Sequence, residues 1–204
     1  MMIGAEDALR SVLGEPTDLV RSKIADRLND LTRQFVERSP FVCLATSAAD
    51  GSCDVSPKGD PAGFVRILDE KTLLLPDRPG NRLADSLRNV IQNPHVALLF
   101  MIPGVSDTFR VNGRAEIVTE AELLEVCAIE GKVPKLALRI EIDEAYTHCP
   151  KAFLRSNFWD PEHYVDRGEL PSPGSLMRSV NPRIEPETYD AGRAERYERR
   201  EGFY

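Results

Sequence analysis

Arg78 and Arg82 flank Pro79-Gly80-Asn81 in the stretch LLLPDRPGNRLADSLRNVIQNP, residues 73–94. An apolar run ends, a Pro-Gly turn follows, and an amphipathic helix is expected to begin directly after Asn81. Helix N-termini carry backbone N–H groups without internal acceptors and a partial positive charge, so they stabilise anions. Two guanidinium groups there add charge-assisted, bidentate-capable hydrogen bonds to phosphate oxygens. The chemistry offered is phosphate binding. The same residues also suit an ordinary capped turn, with Asn81 as the N-cap, Arg82 paired to Asp85 or Ser86, and Arg78 facing water. No GxGxxG or GxxxxGK[ST] pattern accompanies them.

A second polar cluster, DVSPKGDPAGF, places Ser56, Lys58 and Asp60 beside Pro57, Gly59 and Pro61 at a strand end. Polar groups on a rigid loop suit the edge of a planar ligand, or simply a corner of the fold. A third, YTHCPKAFLRSNFW, brings together His148, Cys149, Lys151, Arg155 and Trp159. On a helix from Pro150, Lys151 and Arg155 share a face and suit an anionic substrate or surface salt bridges. Cys149 reads as packed, and a thiolate role would need an activating cation.

The elements that must position these residues are read from periodicity. Residues 1–38 predict an N-terminal helical segment packing on the rest, with Leu19, Ile24, Leu28, Leu31, Phe35 and Val36 at helical spacing from Thr17 until Ser39-Pro40. Residues 39–165 predict six or seven strands in successive hairpins, the first turning at Asp50-Gly51. Phe109, Val111, Gly113, Ala115 and Ile117 alternate with polar residues, as a half-buried strand does. Residues 166–204 have little periodicity and predict an arm or tail. The class is mainly β (α+β): a small antiparallel β-barrel with flanking helices.

The 204 residues carry a formal charge of −7, which disfavours nucleic acid as a partner. No apolar run suits a membrane span, and the acidic start of the chain does not read as a secretory signal, so a cytoplasmic protein is expected. The four cysteines have no zinc or disulfide spacing, and no metal site is expected.

From Ser39 to Val118, above all in SPFVCLATSAADGSCDVSPKGDPAGFVRILDEKTLLLPDRPGNRLADSLRNVIQNPHVALLFMIPG, the chain resembles the flavin-binding split barrels related to pyridoxamine 5′-phosphate oxidase. DTFRVNGRAEIV and HCPKAFLRSNFWDP also fit one uncharacterised subgroup of that family. The resemblance implies a homodimer with flavin mononucleotide (FMN) in a groove between subunits. It implies the phosphate at Arg78, Asn81 and Arg82, the flavin ring against Ser56, Pro57 and Lys58, and a polar contact from Thr108. Lys151, Arg155 and Trp159 then become candidates for the substrate side or the flavin edge.

The oxidase's C-terminal arginine and histidine pattern is not found in SLMRSVNPRIEPETYDAGRAERYERREGFY, so oxidation of vitamin B6 is not implied. The leading expectation is an FMN-dependent oxidoreductase moving hydride or electrons between a nicotinamide or small-molecule donor and an acceptor. The alternatives are a flavin-binding carrier or sensor without turnover and a deazaflavin-dependent reductase.

Overall fold

The computed structural model describes residues 3–204; residues 1 and 2 of the expected N-terminal segment lie outside the described residues. The single long helix expected from Thr17 is instead broken. Helices α1 (Glu6–Leu13), α2 (Asp18–Ser22) and α3 (Arg33–Arg38) are short, and Leu19, Ile24 and Leu31 are exposed. Two local competitors overrule the periodicity. Ala25 exchanges backbone hydrogen bonds with Ala145, and the Asn29 side chain accepts from the N–H groups of Leu31 and Thr32. Only Leu28 and Val36 of the predicted apolar stripe are fully buried in the core.

The hairpins form as the alternation predicts. Strands β1 (Phe41–Ser47) and β2 (Cys53–Gly59) pair around a turn in which Gly51 takes a φ of 86°, a region glycine enters without penalty. β3 (Arg66–Ile67) and β4 (Thr72–Pro76) make the second hairpin. Helix α4 (Asp85–Gln92) leads to β5 (His95–Met101), β6 (Thr108–Val118), α5 (Ala121–Glu125) and the long β7 (Ala137–His148). Helix α6 (Lys151–Arg155) follows.

These seven strands form one antiparallel sheet in the order β2-β1-β5-β6-β7-β4-β3. The edge strands β2 and β3 do not pair, so the sheet is mainly β and antiparallel, as expected, but does not close into a barrel. One face carries the core: Val42, Leu44, Leu98, Phe100, Phe109, Val111 and Ile140 are almost wholly buried, and the Phe35 ring stacks on Phe109 at 5.7 Å. Helix α4 covers this face near the open seam, burying Val90 and donating from Asn89 Nδ2 to Thr46 Oγ1 and from Ser86 Oγ to Asp54.

The expected C-terminal tail is two helices, α7 (Pro173–Val180) and α8 (Pro186–Glu198). Each starts with proline at its first turn, where the missing N–H costs nothing, and Ser172 caps α7 by accepting from Ser175 N–H. Among the described residues no helix is long and apolar enough to cross a membrane.

Candidate functional site

The open seam of the sheet is bridged by side chains. Lys58 Nζ, on the core-facing side of β2, donates to Asp77 Oδ1 at 2.9 Å. Just beyond β2, Asp60 Oδ2 accepts from Arg78 Nε at 2.6 Å. Arg78 Nη2 also donates to the Cys127 carbonyl at 2.8 Å, which ties the segment after β4 to the turn after α5. The Asp60 and Arg78 side chains are only 4% and 15% exposed, so this ion pair is nearly dry. Arg78 therefore does not face water, and part of its hydrogen-bonding capacity is committed to the fold. Its Nη1 makes no hydrogen bond among the described residues. Ser56 shares the inward side of β2 with Lys58, whereas Pro57 points to the opposite, outer side, because side chains alternate along a strand.

The loop between β4 and α4 departs from the sequence expectation. Asn81 does not cap the helix. Its Oδ1 accepts from Leu83 N–H, which bends the loop, and the helix begins at Asp85 with Ala84 at the N-cap position. The capping chemistry foreseen for Asn81 is spent on an Asx turn. Arg82 and Ala84 adopt φ values of 64° and 58°, a left-handed conformation that costs a residue with a Cβ about 1–2 kcal/mol. Arg82 is exposed and makes no ion pair among the described residues; Asp85 is engaged by Arg88 instead. The helix N-terminus already holds an acidic side chain in its first turn, so the loop, not the helix end, offers the cationic surface.

That loop borders a cavity of about 920 Å³. Gly59, Asp60, Arg78, Gly80 and Asn81 form one wall, so the end of β2 meets the arginine loop here, while Ser56, Pro57, Lys58 and Arg82 do not line the cavity. Tyr189, Arg193, Arg196, Tyr197 and Arg200, on and just beyond α8, form the other, and Tyr204 lies 5.4 Å from the Arg78 guanidinium. Burial, together with the adjacent Asp60 carboxylate, pushes the Tyr204 phenol above its ordinary pKa. The sequence reading missed this second wall. Its signal was the arginine and tyrosine spacing 189, 193, 196 and 197, which a helix gathers on one side.

Thr108, Trp159, Lys151 and Arg155 form a separate group. Thr108 is buried at the start of β6 beside His148, and Trp159 Nε1 donates to the Val105 carbonyl in the preceding turn while stacking on Phe153. Lys151 and Arg155 on α6 are exposed and make no ion pair among the described residues. In the sheet order, β1 and β5 separate Thr108 from β2, a lateral gap of roughly 14 Å at about 4.8 Å per strand. One chain does not bring the two groups together.

His148 lies on the outer sheet face, its ring 5.2 Å from Tyr146, with Nε2 buried and without a partner. Burial, helped by the charges of Arg110 and Lys23, holds its pKa below the usual histidine value. The unfolded chain therefore takes up a proton on this ring at a higher pH than the folded one. Stability is expected to fall as pH drops below about 6.5, and His148→Phe to abolish that component of the loss. Denaturation free energies at pH 7 and 5 for both proteins measure it; parallel pH profiles would refute the assignment.

The family described as "Pyridoxamine 5'-phosphate oxidase" matches residues 28–149, from the last N-terminal turn to the end of β7. No curated protein matches the sequence. Among solved structures, HupZ of Group A Streptococcus is 20% identical, with 59% of this chain and 93% of that chain covered and a TM-score of 0.48. A putative pyridoxamine 5′-phosphate oxidase from Lactobacillus delbrueckii is 21% identical, covering 60% and 95%, with a TM-score of 0.46. A Clostridium acetobutylicum protein related to general stress protein 26 is 16% identical, covering 58% and 85%, with a TM-score of 0.45. The family match spans the whole seven-stranded sheet and more than half of the chain, and on that ground this protein belongs to the pyridoxamine 5′-phosphate oxidase family.

Proposed function

We propose that the protein is an FMN-binding oxidoreductase that works as a homodimer, with the flavin held between two copies of the chain. The observation that carries the reading is the excess of cationic side chains at the open seam. Arg82 has no acidic partner among the described residues, Arg78 keeps one amino group free and lines a cavity large enough for a nucleotide, and Arg82 directly follows the lining residue Asn81 in the chain. A phosphate ester dianion is the chemistry that relieves such an excess. Arg78, Asn81 and Arg82 are assigned to the phosphate, and Ser56, Lys58 and the backbone at Pro57 to the ring.

Two features support a composite site. The outer faces of β1, β2 and β5 present Cys43, Ala45, Val55, Ala97 and Leu99, an apolar strip with Val55 63% exposed. Burying that strip against its own copy is favourable at about 25 cal/mol per Å². A second copy also supplies what one chain lacks: the Thr108, Trp159, Lys151 and Arg155 group, brought from the partner to the ring. When bound, FMN accepts and donates hydride or single electrons, and the protein contributes binding, orientation and electrostatics.

The test is the absorbance spectrum of the purified protein, identification of what it releases on denaturation, and reduction of the bound flavin by a nicotinamide over repeated cycles. Arg82→Ala is expected to weaken FMN about 10–100-fold, the loss of one charge-assisted contact, with the unfolding midpoint unchanged. Protein that is colourless and takes up no FMN refutes the reading; flavin that binds but never turns over leaves a carrier.

A further inference from the structure

We infer that α8 is the second jaw of the anion site and that Arg193 and Arg196 bind the ligand's phosphate ester directly, an inference that rests on the seam being a phosphate site. The cavity is lined by four arginines, Arg78, Arg193, Arg196 and Arg200, and by two carboxylates, Asp60 and Glu201. Arg78 is matched to Asp60, and Arg200 to Glu130 at 3.0 Å. Arg193 lies over the Tyr197 ring at 4.5 Å and has no acidic partner among the described residues; neither has Arg196. In a chain of net charge −7, two unmatched arginines facing one cavity are not a consequence of composition.

Two acids close to these positions in sequence lie beside Arg199, and one of them, Glu201, also borders the cavity. Glu195 and Glu201 lie near Arg199 at 3.9 and 3.7 Å. Arg193 and Arg196, three apart, share one side of the helix, and Arg200 borders the same cavity from the turn beyond it. The surplus of two positive charges balances the two negative charges of one phosphate monoester dianion, and guanidinium forks match its oxygens. The two unmatched arginines repel each other until an anion enters.

The helix is held where it can do this. Gly174 of α7 lets the start of α8 approach so closely that a Cβ there would lie 2.3 Å from the Pro186 carbonyl oxygen. Gly174 N–H donates to Asp190 Oδ1 at 2.7 Å, and past the far end of α8 the Arg78 guanidinium lies over Tyr204. The ligand class is a phosphate monoester carried on a planar ring system, which separates FMN from riboflavin.

The experiment titrates FMN and riboflavin by flavin fluorescence into the full chain and into Arg193→Ala/Arg196→Ala. Neither side chain has an ion-pair partner to lose, so the variant is expected to keep its unfolding midpoint. FMN affinity is expected to fall about 100-fold or more while riboflavin affinity stays constant. An unchanged FMN affinity, with Arg82→Ala still weakened, overturns the role of α8 and leaves the flavin reading intact. If neither flavin binds the unmodified chain, the flavin reading fails, and inorganic phosphate becomes the probe. A phosphate-dependent rise in unfolding midpoint that the double variant lacks then sustains the inference, and no rise overturns it.

Discussion

Arg78→Ala is expected to destabilise the fold by about 3–5 kcal/mol, far more than a surface arginine would. The reason is the partner left behind. Asp60 has a side chain only 4% exposed, and its carboxylate is charge-matched by Arg78 Nε at 2.6 Å. Removing the guanidinium strands a nearly buried negative charge and also frees the Cys127 carbonyl that Arg78 Nη2 satisfies. The neighbouring Lys58–Asp77 pair is more exposed, at 21% and 28%, and Lys58→Ala is expected to cost only about 1 kcal/mol.

The measurement is a double-mutant cycle by denaturant unfolding with Arg78→Ala, Asp60→Ala and the pair. The double variant is expected to recover much of the loss, because no unpaired buried charge is left in it. An Arg78→Ala protein within 1 kcal/mol of the unmodified chain would show that the pair is hydrated in solution and does not hold the seam. The prediction also governs how ligand data are read. Weakened FMN binding in Arg78→Ala would follow from a loosened seam even if Arg78 never touched the phosphate. Arg82, exposed and unpaired among the described residues, is the position at which lost affinity reports on the clamp itself.

The strands were readable because each carries its own evidence. Alternation in Phe109–Ile117 and the Asp50-Gly51 turn depend only on neighbours, and both appear in the structure where expected. The seam was not readable, since Asp60 and Arg78 meet only after the sheet has curled and α5 has delivered the Cys127 carbonyl. The start of α4 was misplaced because Asn81 has two local uses, capping a helix or bending a loop, and sequence does not rank them. The N-terminal stripe misled for a different reason: Ala25 gains a strand-like partner in Ala145, and tertiary hydrogen bonding outweighs a weak helix preference. The C-terminal helices lacked an apolar period, yet Ser172-Pro173 and Glu185-Pro186 were start signals in plain view.

Gly113→Ala is expected to be the other severe substitution, at about 3 kcal/mol or more. A Cβ at this position would lie 2.1 Å from the Glu141 carbonyl oxygen, a backbone atom with no flexible side chain to yield. The close approach arises at an irregularity in the β6–β7 ladder: Asn112 faces Glu144 and Gly113 faces Ile142, which leaves Asp143 as an extra residue. That extra residue changes which side of β7 faces the core. Before it, Leu138, Ile140 and Ile142 point inward; after it, Ala145 does, and Glu144, Tyr146 and His148 turn to the outer face. The bulge thus sets Tyr146 against Arg110, whose Nη1 donates to the Tyr146 hydroxyl oxygen at 3.1 Å, and His148 beside Thr108. Forcing β6 and β7 apart at Gly113 strains the centre of the sheet and loosens the outer-face group assigned here to the flavin of the partner subunit. Equilibrium unfolding measures the first effect, and the His148 ring resonances measure the second. A Gly113→Ala protein of undiminished stability would mean that the two strands do not approach this closely in solution.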